Sequence, residues 1–387
     1  MPEPVIVATA RTPIGRAFKG SLVDNRPDEL GAFIVGKVLE KVPQLPREEI
    51  EDLICGCGLP GGEQGFNMGR VIAILAGIPV PGTTITRYCS SSLQTTRMAA
   101  HAIRAGEGDA FLSVGVETVS RFLHGSSDND ANQNERLKPG NAEGLPDIYI
   151  SMGQTAENVA RREEVSREEQ DRFALQSQER AVRSQDNGFF AREISPVTLP
   201  NGSVMTNDDG PRRGTTLEKL STLAPVFRDD GTVTAGNACP LNDGAAAVLV
   251  MSDTRARELG ITPLARIVST GLTQLEPEYM GLGPIEASRQ ALRRANMTID
   301  DIDILEINEA FAAQVIPSAR ALGVDPFSDK LNPNGGSIAL GHPFGMTGAR
   351  ILTTLLNGLQ TADKQVGLET MCVGGGMGMA MIIERLS

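Results

Sequence analysis

Short apolar runs and helically spaced apolar positions alternate along the first and last thirds of the chain. In the stretch 28–42, for example, Leu30, Ile34 and Val38 recur every four residues and so share one helix face. The alternation predicts an α/β fold in which mixed, mostly parallel sheets pack against helices. The predicted strands are 4–7, 52–57, 110–115, 265–268, 302–307, 366–371 and 379–383, and the predicted helices are 28–42, 90–105, 285–296 and 347–359.

The predicted helix 90–105 is built largely from small residues. It carries Ala99, Ala100 and Ala102, has few large charged side chains, and is followed by Gly106, a typical helix-ending residue. Small side chains allow close approach on all faces, so we expect this helix to lie between two sheets.

The chain contains an internal repeat. Glu48-Glu49-Ile50-Glu51 matches Asp300-Asp301-Ile302-Asp303 at an offset of 252 residues. At the same offset, Gly115-Val116-Glu117-Thr118 matches Gly367-Leu368-Glu369-Thr370. Two matches in one register predict that the protein consists of two homologous α/β halves.

We expect the N-terminal half to span 1–119, completed by about 240–260, and the C-terminal half to span 260–387. Residues 120–239 differ in composition and are predicted to form an inserted loop domain with a binding role. Its predicted features are polar loops at 125–147 and 208–214 and a helix that runs from the capping box Ser166/Glu169 to Asn187-Gly188.

Charge and composition exclude several classes of protein. The net charge of −12 argues against a general nucleic-acid binder. No apolar run approaches the ~20 residues of a membrane-spanning helix, and the N-terminus lacks the basic and apolar regions of a signal peptide. The five cysteines, an odd number, predict reduced thiols. We therefore expect a cytoplasmic protein. The pair Cys55/Cys57 has too few partner ligands for a metal site, and none is expected.

Two residues could perform nucleophilic chemistry. Cys89 directly precedes the predicted buried helix, where the helix dipole favours a thiolate. It could equally be a small residue in a core turn. In the repeat register Cys89 matches Gly341, next to His342, so the two could face each other across the halves; a structural histidine is the alternative.

Other candidates surround these two. Cys372 precedes the glycine-rich turn 374–378, whose bare backbone N–H groups could approach a substrate oxygen. A phosphate-binding loop is a weaker interpretation, because no Gly-Lys-Ser/Thr is present. Asn308 follows a predicted strand and could instead be a helix N-cap. Together the residues suit acyl transfer through a thioester, with a nucleophile, a base, a second proton carrier and oxyanion donors.

Over essentially its whole length the sequence resembles the thiolases. The motifs that carry the resemblance are 88–92 (YCSSS), 152–158 (MGQTAEN), 236–238 (GNA) with 242–246 (NDGAA), 308–311 (NEAF), 341–343 (GHP) with Gly345 and 347–350 (TGAR), and Cys372 with 374–378 (GGGMG).

The resemblance implies a duplicated, five-layered αβαβα fold with an inserted loop domain. It implies that Cys89 is acylated, that His342 activates it, and that Cys372 is the second acid/base. One oxyanion hole would come from His342 and a water held by Asn308, the other from the N–H groups of Cys89 and Gly374. It further implies acyl-CoA and CoA as substrates, no separate cofactor, and a homodimer or homotetramer.

By motif position, six residues would line the CoA and acyl path: Met152, Arg212, Leu223, Ala235, Cys239 and Met280. Cys239 stands where many thiolases have serine. Ser151 stands where acetoacetyl-type biosynthetic thiolases usually have histidine. The second departure favours a degradative 3-ketoacyl-CoA thiolase of the β-oxidation type.

Three alternatives stay open at this point. One is a biosynthetic acetoacetyl-CoA thiolase, which Ser151 mildly disfavours. Ketoacyl synthases share the fold but lack Cys372 in such a turn. A thiolase-like acyl-CoA-binding protein without catalysis is disfavoured by the presence of Cys89, His342, Asn308 and Cys372.

Overall fold

The computed structural model describes residues 2–140 and 143–387. The strands are β1 Pro4–Arg11, β2 Gly15–Arg16, β3 Asp52–Gly56, β4 Gly82–Ile85, β5 Ala110–Thr118, β6 Val197–Thr198, β7 Val204–Met205, β8 Asn242–Ser252, β9 Ala265–Gln274, β10 Ile304–Ile307, β11 Val366–Val373 and β12 Met377–Arg385. The helices are α1 Pro27–Leu39, α2 Met68–Leu75, α3 Ser91–Ala105, α4 Met152–Arg162, α5 Arg167–Asp186, α6 Leu217–Ser221, α7 Asp253–Glu258, α8 Gly283–Ala295, α9 Ala312–Ala321, α10 Ser337–Leu340 and α11 Thr347–Ala362.

Every strand and helix predicted from the pattern is present, and the largest differences are at strand ends. β9 runs to Gln274, although the apolar run ends at 268, because Ser269, Thr270 and Thr273 continue the ladder with β12. The predicted capping box of α5 is also present, since Ser166 and Glu169 bond reciprocally. The predicted loop 125–147 holds only short 3₁₀ turns where it is described; its residues 141 and 142 lie outside the described part.

The main sheet follows the order β10-β11-β12-β9-β1-β8-β5-β3-β4, with β2 pairing β8. It consists of two similar parts, β3-β5-β8-β1 and β10-β11-β12-β9, in which the first pair is parallel and the rest are antiparallel. The two parts meet through only two residue pairs, Val5 with Arg266 and Ile6 with Ala265. The two sheet parts are therefore joined only through this short pairing of β1 with β9.

Helices complete a five-layered arrangement, as predicted. α3 and α11 pack against each other and against strands of both sheet parts, so they form the central layer. α1 and α2 cover the outer face of the first part, and α8 and α9 cover that of the second. Three apolar clusters fill the spaces between these layers. Among the described residues, no helix has the length and apolar character needed to cross a membrane.

The central helices touch at their first turns. Ser92 Oγ accepts the Ala349 N–H at 2.9 Å. A Cβ on Gly348 would lie 2.4 Å from the backbone nitrogen of Leu93, which no side chain tolerates. Glycine at 348 therefore allows the two helix starts, with the turns that precede them, to meet at one end of the central layer.

The offset of 252 residues predicted from the repeat is correct for β3 and β10, but it is four residues too small for β5 and β11. Each half has a bulge at the corresponding place in its antiparallel pair, β1–β8 and β9–β12. When the two halves are aligned at these bulges, Leu112 of β5 corresponds to Leu368 of β11, an offset of 256. Their partners on the neighbouring parallel strands, Leu53 and Leu305, differ by 252. The connection between the parallel strands is four residues longer in the second half, so no single offset fits both.

The central helices follow the larger offset. The reciprocal contacts of Ser92 with Ala349 and of Gly348 with Leu93 fit a shift of 256. Cys89 therefore corresponds to Gly345, and its match to Gly341 in the sequence comparison is wrong by four residues. His342 still lies in the turn before α11, the counterpart of the turn that carries Cys89.

A buried ion-pair network ties the inserted segment to β1. Arg11 is fully buried and donates to Glu193 Oε1 at 2.6 Å and to both carboxylate oxygens of Asp208 at 2.7 and 3.0 Å. Asp208 also accepts the Ile14 N–H. These bonds anchor the start of the loop that carries Arg212.

Candidate active site

Cys89 lies in a 3₁₀ turn, Tyr88–Ser90, that leads directly into α3. Tyr88 has a left-handed backbone, with φ of 44°. Ser91 braces the turn, because its hydroxyl donates to the Tyr88 carbonyl at 2.7 Å and accepts the Arg87 N–H at 2.9 Å. The turn packs against β11 and α11, and the cysteine is 9 % exposed.

Cys89 is protonated at this place in the fold, although the helix dipole favours a thiolate. Burial raises the pKa of Cys89 to about 12, and the N–H groups of Gly374 and of Cys89 itself only partly oppose this. The desolvation of a charged sulfur thus outweighs the helix terminus. The nucleophile rests as a thiol and must lose its proton during the reaction.

His342 has the protonation state that is required to accept the Cys89 proton. Its Nδ1 lies 2.7 Å from Thr347 Oγ1, and the Thr347 hydroxyl donates to the Pro343 carbonyl. With that hydroxyl donating to the carbonyl and the Asn308 amide nitrogen 3.4 Å from Nε2, both contacts fit the tautomer with hydrogen on Nδ1 and the lone pair on Nε2. Burial, reinforced by repulsion from Arg350, lowers the pKa of His342 to about 3, so the ring is neutral.

Buried Glu117 connects the His342 turn to the loop that follows β3. One of its oxygens accepts the N–H of Gly345, in the His342 turn, at 2.8 Å and that of Gly58 at 2.7 Å. Its negative charge also contributes to the raised pKa of Cys89. The carboxylate thus holds the His342 turn against the loop after β3, and its charge disfavours a thiolate at Cys89.

Asn308 faces His342 from the end of β10. Its Nδ2 lies 3.4 Å from His342 Nε2, and its Oδ1 accepts a hydrogen bond from Ser337 Oγ at 2.6 Å. Asn308 is not a helix N-cap, since α9 begins at Ala312 and is preceded by Phe311. Its amide hydrogens are therefore directed at the same space as the histidine lone pair.

Cys372 and Cys239 lie beside Cys89. Cys372 is fully buried near the end of β11 and belongs to an apolar cluster against which Cys239 packs. Burial is the main cause of the raised pKa of both thiols, and repulsion from Cys89 adds to it in each case. The fold thus gathers three of the five cysteines, whereas Cys55 and Cys57 are buried in the outer core of the first half.

The glycine-rich turn that follows Cys372 joins the antiparallel strands β11 and β12, and no helix follows it. That geometry excludes a phosphate-binding loop of the P-loop type. Gly375 and Gly376 have φ of 76° and 80°, which favour glycine. Gly374 directs its N–H at Cys89, and a Cβ built on it would lie 3.6 Å from Tyr88 and 3.7 Å from Met152 Sδ.

The six predicted path residues form two groups. Met152, Cys239 and Met280 belong to the apolar cluster around Cys372. Arg212 and Ala235 line a small cavity under the inserted segment, and Leu223 borders it through a contact with Gly236. The structure thus places the six residues in two groups, one in the apolar cluster around Cys372 and one at the small cavity.

The sequence analysis missed Arg16, which lines the same cavity as Arg212. β2 places it there by pairing Arg16 with Asn242 of β8. Its positive charge contributes to the lowered pKa of Arg212, although burial is the larger cause. Nothing in the local sequence singles out Arg16, because it lies almost 200 residues from Arg212 along the chain.

Three positioning contacts at His342 and Asn308 were also missed. Asn242 accepts the His342 N–H at 2.9 Å, Thr347 binds the imidazole, and Ser337 binds the Asn308 amide. All three residues stand inside or beside the quoted motifs, so their sequence positions were available but their contacts were not.

Comparison with known proteins places the chain in a family. The family model for the thiolase N-terminal domain matches residues 4–254, and that for the thiolase C-terminal domain matches residues 261–385. A crystal structure of the acetyl-CoA acetyltransferase of Bacillus anthracis superposes with a TM-score of 0.90 at 39 % identity, covering 100 % of this chain and 99 % of that one.

Curated relatives of full length carry several thiolase names. The 3-ketoacyl-CoA thiolase of Bacillus subtilis is 44 % identical over 99 % of this chain and 100 % of its own. The beta-ketoadipyl-CoA thiolase of Acinetobacter baylyi is 42 % identical over the full length of both, and the acetyl-CoA acetyltransferase of Chromobacterium violaceum is 45 % identical over 99 % of this chain and 100 % of its own. With both domains matched and relatives of this similarity, the chain belongs to the thiolase family and is a thiolase acyltransferase.

Proposed function

We propose that this thiolase cleaves 3-ketoacyl-CoA with CoA, releasing acetyl-CoA and a shortened acyl-CoA in degradative, β-oxidation-type metabolism. The observation that carries the general chemistry is the convergence of a thiol, a neutral imidazole and a second thiol: Cys89, His342 and Cys372. Each can hold or give up one proton, which is what a two-step acyl transfer requires.

In the first step His342 Nε2 takes the Cys89 proton as the sulfur attacks the 3-keto carbon. The N–H groups of Cys89 and Gly374 face the sulfur and stabilise the oxyanion that forms there. The bond between C2 and C3 then breaks, and Cys372 protonates C2 of the leaving acetyl-CoA enolate. The product is an acyl-enzyme on Cys89.

In the second step a CoA thiol replaces acetyl-CoA. The Cys372 thiolate takes its proton, and the CoA sulfur attacks the acyl-enzyme. Cys89 leaves as the thiolate and recovers its proton from His342. All three groups return to their starting protonation, so the cycle closes with these side chains and one CoA thiol alone.

The preference for longer 3-ketoacyl groups is supported by Ser151. It is exposed, directly precedes α4, and stands one residue before Met152, whose Sδ lies near Gly374. A side chain this small leaves room beside the reacting carbon. The curated relatives named 3-ketoacyl-CoA and beta-ketoadipyl-CoA thiolase are consistent with a 3-keto substrate longer than acetoacetyl-CoA.

The second candidate is acetoacetyl-CoA synthesis from two acetyl-CoA, favoured by the similarity to proteins named acetyl-CoA acetyltransferase. The deciding experiment is kcat/KM for thiolysis of 3-ketoacyl-CoAs from C4 to C16, including a branched and a steroid-type substrate. Efficiency that rises beyond C4 supports the degradative function. Activity confined to C4 would replace it with the biosynthetic one.

We also propose that the enzyme is a homo-oligomer. Phe66 is 96 % exposed, and Leu123 is 87 % exposed. The segments that carry them pack together, since a Cβ on Gly62 would meet the His124 carbonyl. Large apolar side chains this exposed suit an interface between subunits. Light scattering of the purified protein tests this proposal, and a monomer would overturn it.

A further inference from the structure

We propose that Ser337 and Arg350 are positioning residues that fix the orientation of the Asn308 amide for the carbon–carbon bond-breaking step. This inference rests on the proposed thiolysis. Ser337 begins α10, Arg350 lies in the first turn of α11, and neither is among the residues predicted to touch substrate.

The direction of each hydrogen bond follows from the donors available. Arg350 Nη2 donates to Ser337 Oγ at 3.1 Å, and a guanidinium cannot accept. The Ser337 hydroxyl must therefore send its single hydrogen elsewhere, and Asn308 Oδ1 lies 2.6 Å away. With Oδ1 held by that bond, the Nδ2 side of the amide is directed at His342 Nε2, 3.4 Å away.

Without Ser337 the amide would lose this constraint. An amide turned by 180° would present Oδ1 to His342, and an acceptor there would repel a developing oxyanion. The neutral imidazole favours the same orientation, because Nε2 accepts, but it loses this preference once Nε2 has taken the Cys89 proton. From that point the orientation of Asn308 is determined from the Ser337 side.

Arg350 is buried beside two acidic residues. It is 1 % exposed, and its Nε and Nη1 have no hydrogen-bond partner among the described residues. Glu306 and Glu369, at paired positions on β10 and β11, are equally buried near it, and burial raises the pKa of both carboxyls, that of Glu306 to about 8. Glu306 Oε1 and both oxygens of Glu369 also lack hydrogen-bond partners in that part of the chain. The one hydrogen bond that the described residues give the guanidinium is therefore the bond to Ser337.

The site assigns Asn308 to one step and not to the other. The oxyanion on the carbon attacked by Cys89 is served by N–H groups that face the sulfur, those of Cys89 and Gly374. The enolate oxygen of departing acetyl-CoA needs a different donor, and Asn308 supplies N–H groups in the space before His342. Ser337 and Arg350 should therefore matter for thiolysis and not for plain acyl exchange onto Cys89.

The test compares two reactions of Ser337→Ala. The first is thiolysis of a 3-ketoacyl-CoA. The second is exchange of isotopically labelled CoA into an acyl-CoA, which forms the acyl-enzyme without breaking a carbon–carbon bond. Ser269→Ala is the matched control, because it removes a buried hydroxyl that donates to the Ala291 carbonyl at 2.7 Å, remote from Cys89. Asn308→Ala and the double variant Ser337→Ala/Asn308→Ala complete a cycle.

We expect Ser337→Ala to lower thiolysis kcat by at least about tenfold, less than the roughly 10²–10³-fold of losing an oxyanion donor outright. Exchange should stay within about twofold of wild type, and Ser269→Ala should leave both reactions unchanged. In the Asn308→Ala background the serine change should have no further effect. If Ser337→Ala does not fold, Ser337→Cys keeps a weak donor and should show a smaller fall in thiolysis alone.

Two results would overturn the inference. One is an equal loss of exchange and thiolysis, or no loss in either. The other is a full additional effect in the Asn308→Ala background. Wild-type enzyme that exchanges CoA but does not thiolyse any 3-ketoacyl-CoA would instead refute the proposed function, and the inference with it.

Discussion

Thr347 Oγ1 accepts the Nδ1 hydrogen of His342 at 2.7 Å and passes its own hydrogen to the Pro343 carbonyl. A hydroxyl here fills the place that a carboxylate takes in a Ser-His-Asp triad, but adds no charge. It fixes the tautomer and leaves the imidazole a weak base. In the proposed cycle the imidazole holds the Cys89 proton from the attack on the keto carbon until Cys89 leaves the acyl-enzyme.

Thr347→Val should therefore reduce activity without unfolding the site. The change keeps the shape of the side chain and removes the acceptor for Nδ1, so the tautomer with hydrogen on Nε2 becomes accessible. We expect kcat to fall roughly 10- to 100-fold, by analogy with tautomer loss elsewhere, and KM to change little. Thr353→Val is the control, since Thr353 bonds only within α11. Near-normal kcat in Thr347→Val would show that Nδ1 is oriented in another way.

The protonation of Cys89 gives a second prediction. Because burial raises its pKa to about 12, the thiolate fraction should grow by roughly tenfold per pH unit across the range in which the enzyme is folded. Alkylation of Cys89 by iodoacetamide, followed by peptide mass spectrometry between pH 6 and 9.5, should rise steadily without a plateau. A plateau near pH 7 would indicate a preformed thiolate–imidazolium pair and contradict the neutral resting state.

The residues of the candidate site could be predicted from the sequence, whereas the ionisation of Cys89 could not. Cys89, His342, Asn308 and Cys372 were identified from motifs, and the layer that brings their turns together was inferred from the small residues of α3. The ionisation of Cys89 was not predictable, because a local argument from the helix dipole omits the desolvation that only the folded core imposes.

Strand registers and contacts between residues distant in the sequence could not be predicted either. The repeat aligned β3 correctly with β10 but misaligned β5 with β11 by four residues, because loop lengths differ between the halves. Arg16 reaches the cavity of Arg212 through the pairing of β2 with β8, which no short-range pattern reveals. What remained unpredictable was therefore long-range pairing and burial.

Cys372→Ala should separate the two half-reactions. The variant keeps Cys89, His342 and the N–H donors, so an acyl-CoA should still acylate Cys89. It lacks the group that protonates the enolate and deprotonates CoA, so thiolysis turnover should fall roughly 10²–10⁴-fold. Mass spectrometry of the intact enzyme should find the acyl group, and peptide mapping should place it on Cys89. Near-normal kcat would reduce the glycine-rich turn to a structural role.

Arg16 should contribute to CoA binding through charge. Arg16→Ala should raise KM for CoA by roughly two- to tenfold, as expected for loss of one charge-assisted contact, and leave kcat unchanged. A short thioester of N-acetylcysteamine, which lacks the nucleotide, should be unaffected. Arg213→Ala is a matched control, because Arg213 is exposed and pairs with Asp186 instead of lining the cavity. Equal effects of the two substitutions on KM would show that only overall charge matters.

Ser151 gives the prediction that bears most on substrate size. Its side chain makes no capping hydrogen bond to α4, so replacing it removes no helix cap. Ser151→His would place an imidazole beside Met152, and Ile148 already lies 3.5 Å from a Cβ position on Gly375. Longer acyl chains should therefore lose the methylene burial that contributes up to about 0.8 kcal/mol per group. We expect kcat/KM to fall for C8 and longer substrates and to be spared at C4, while Ser151→Ala keeps the wild-type profile. A uniform change across chain lengths would show that position 151 does not shape the acyl pocket.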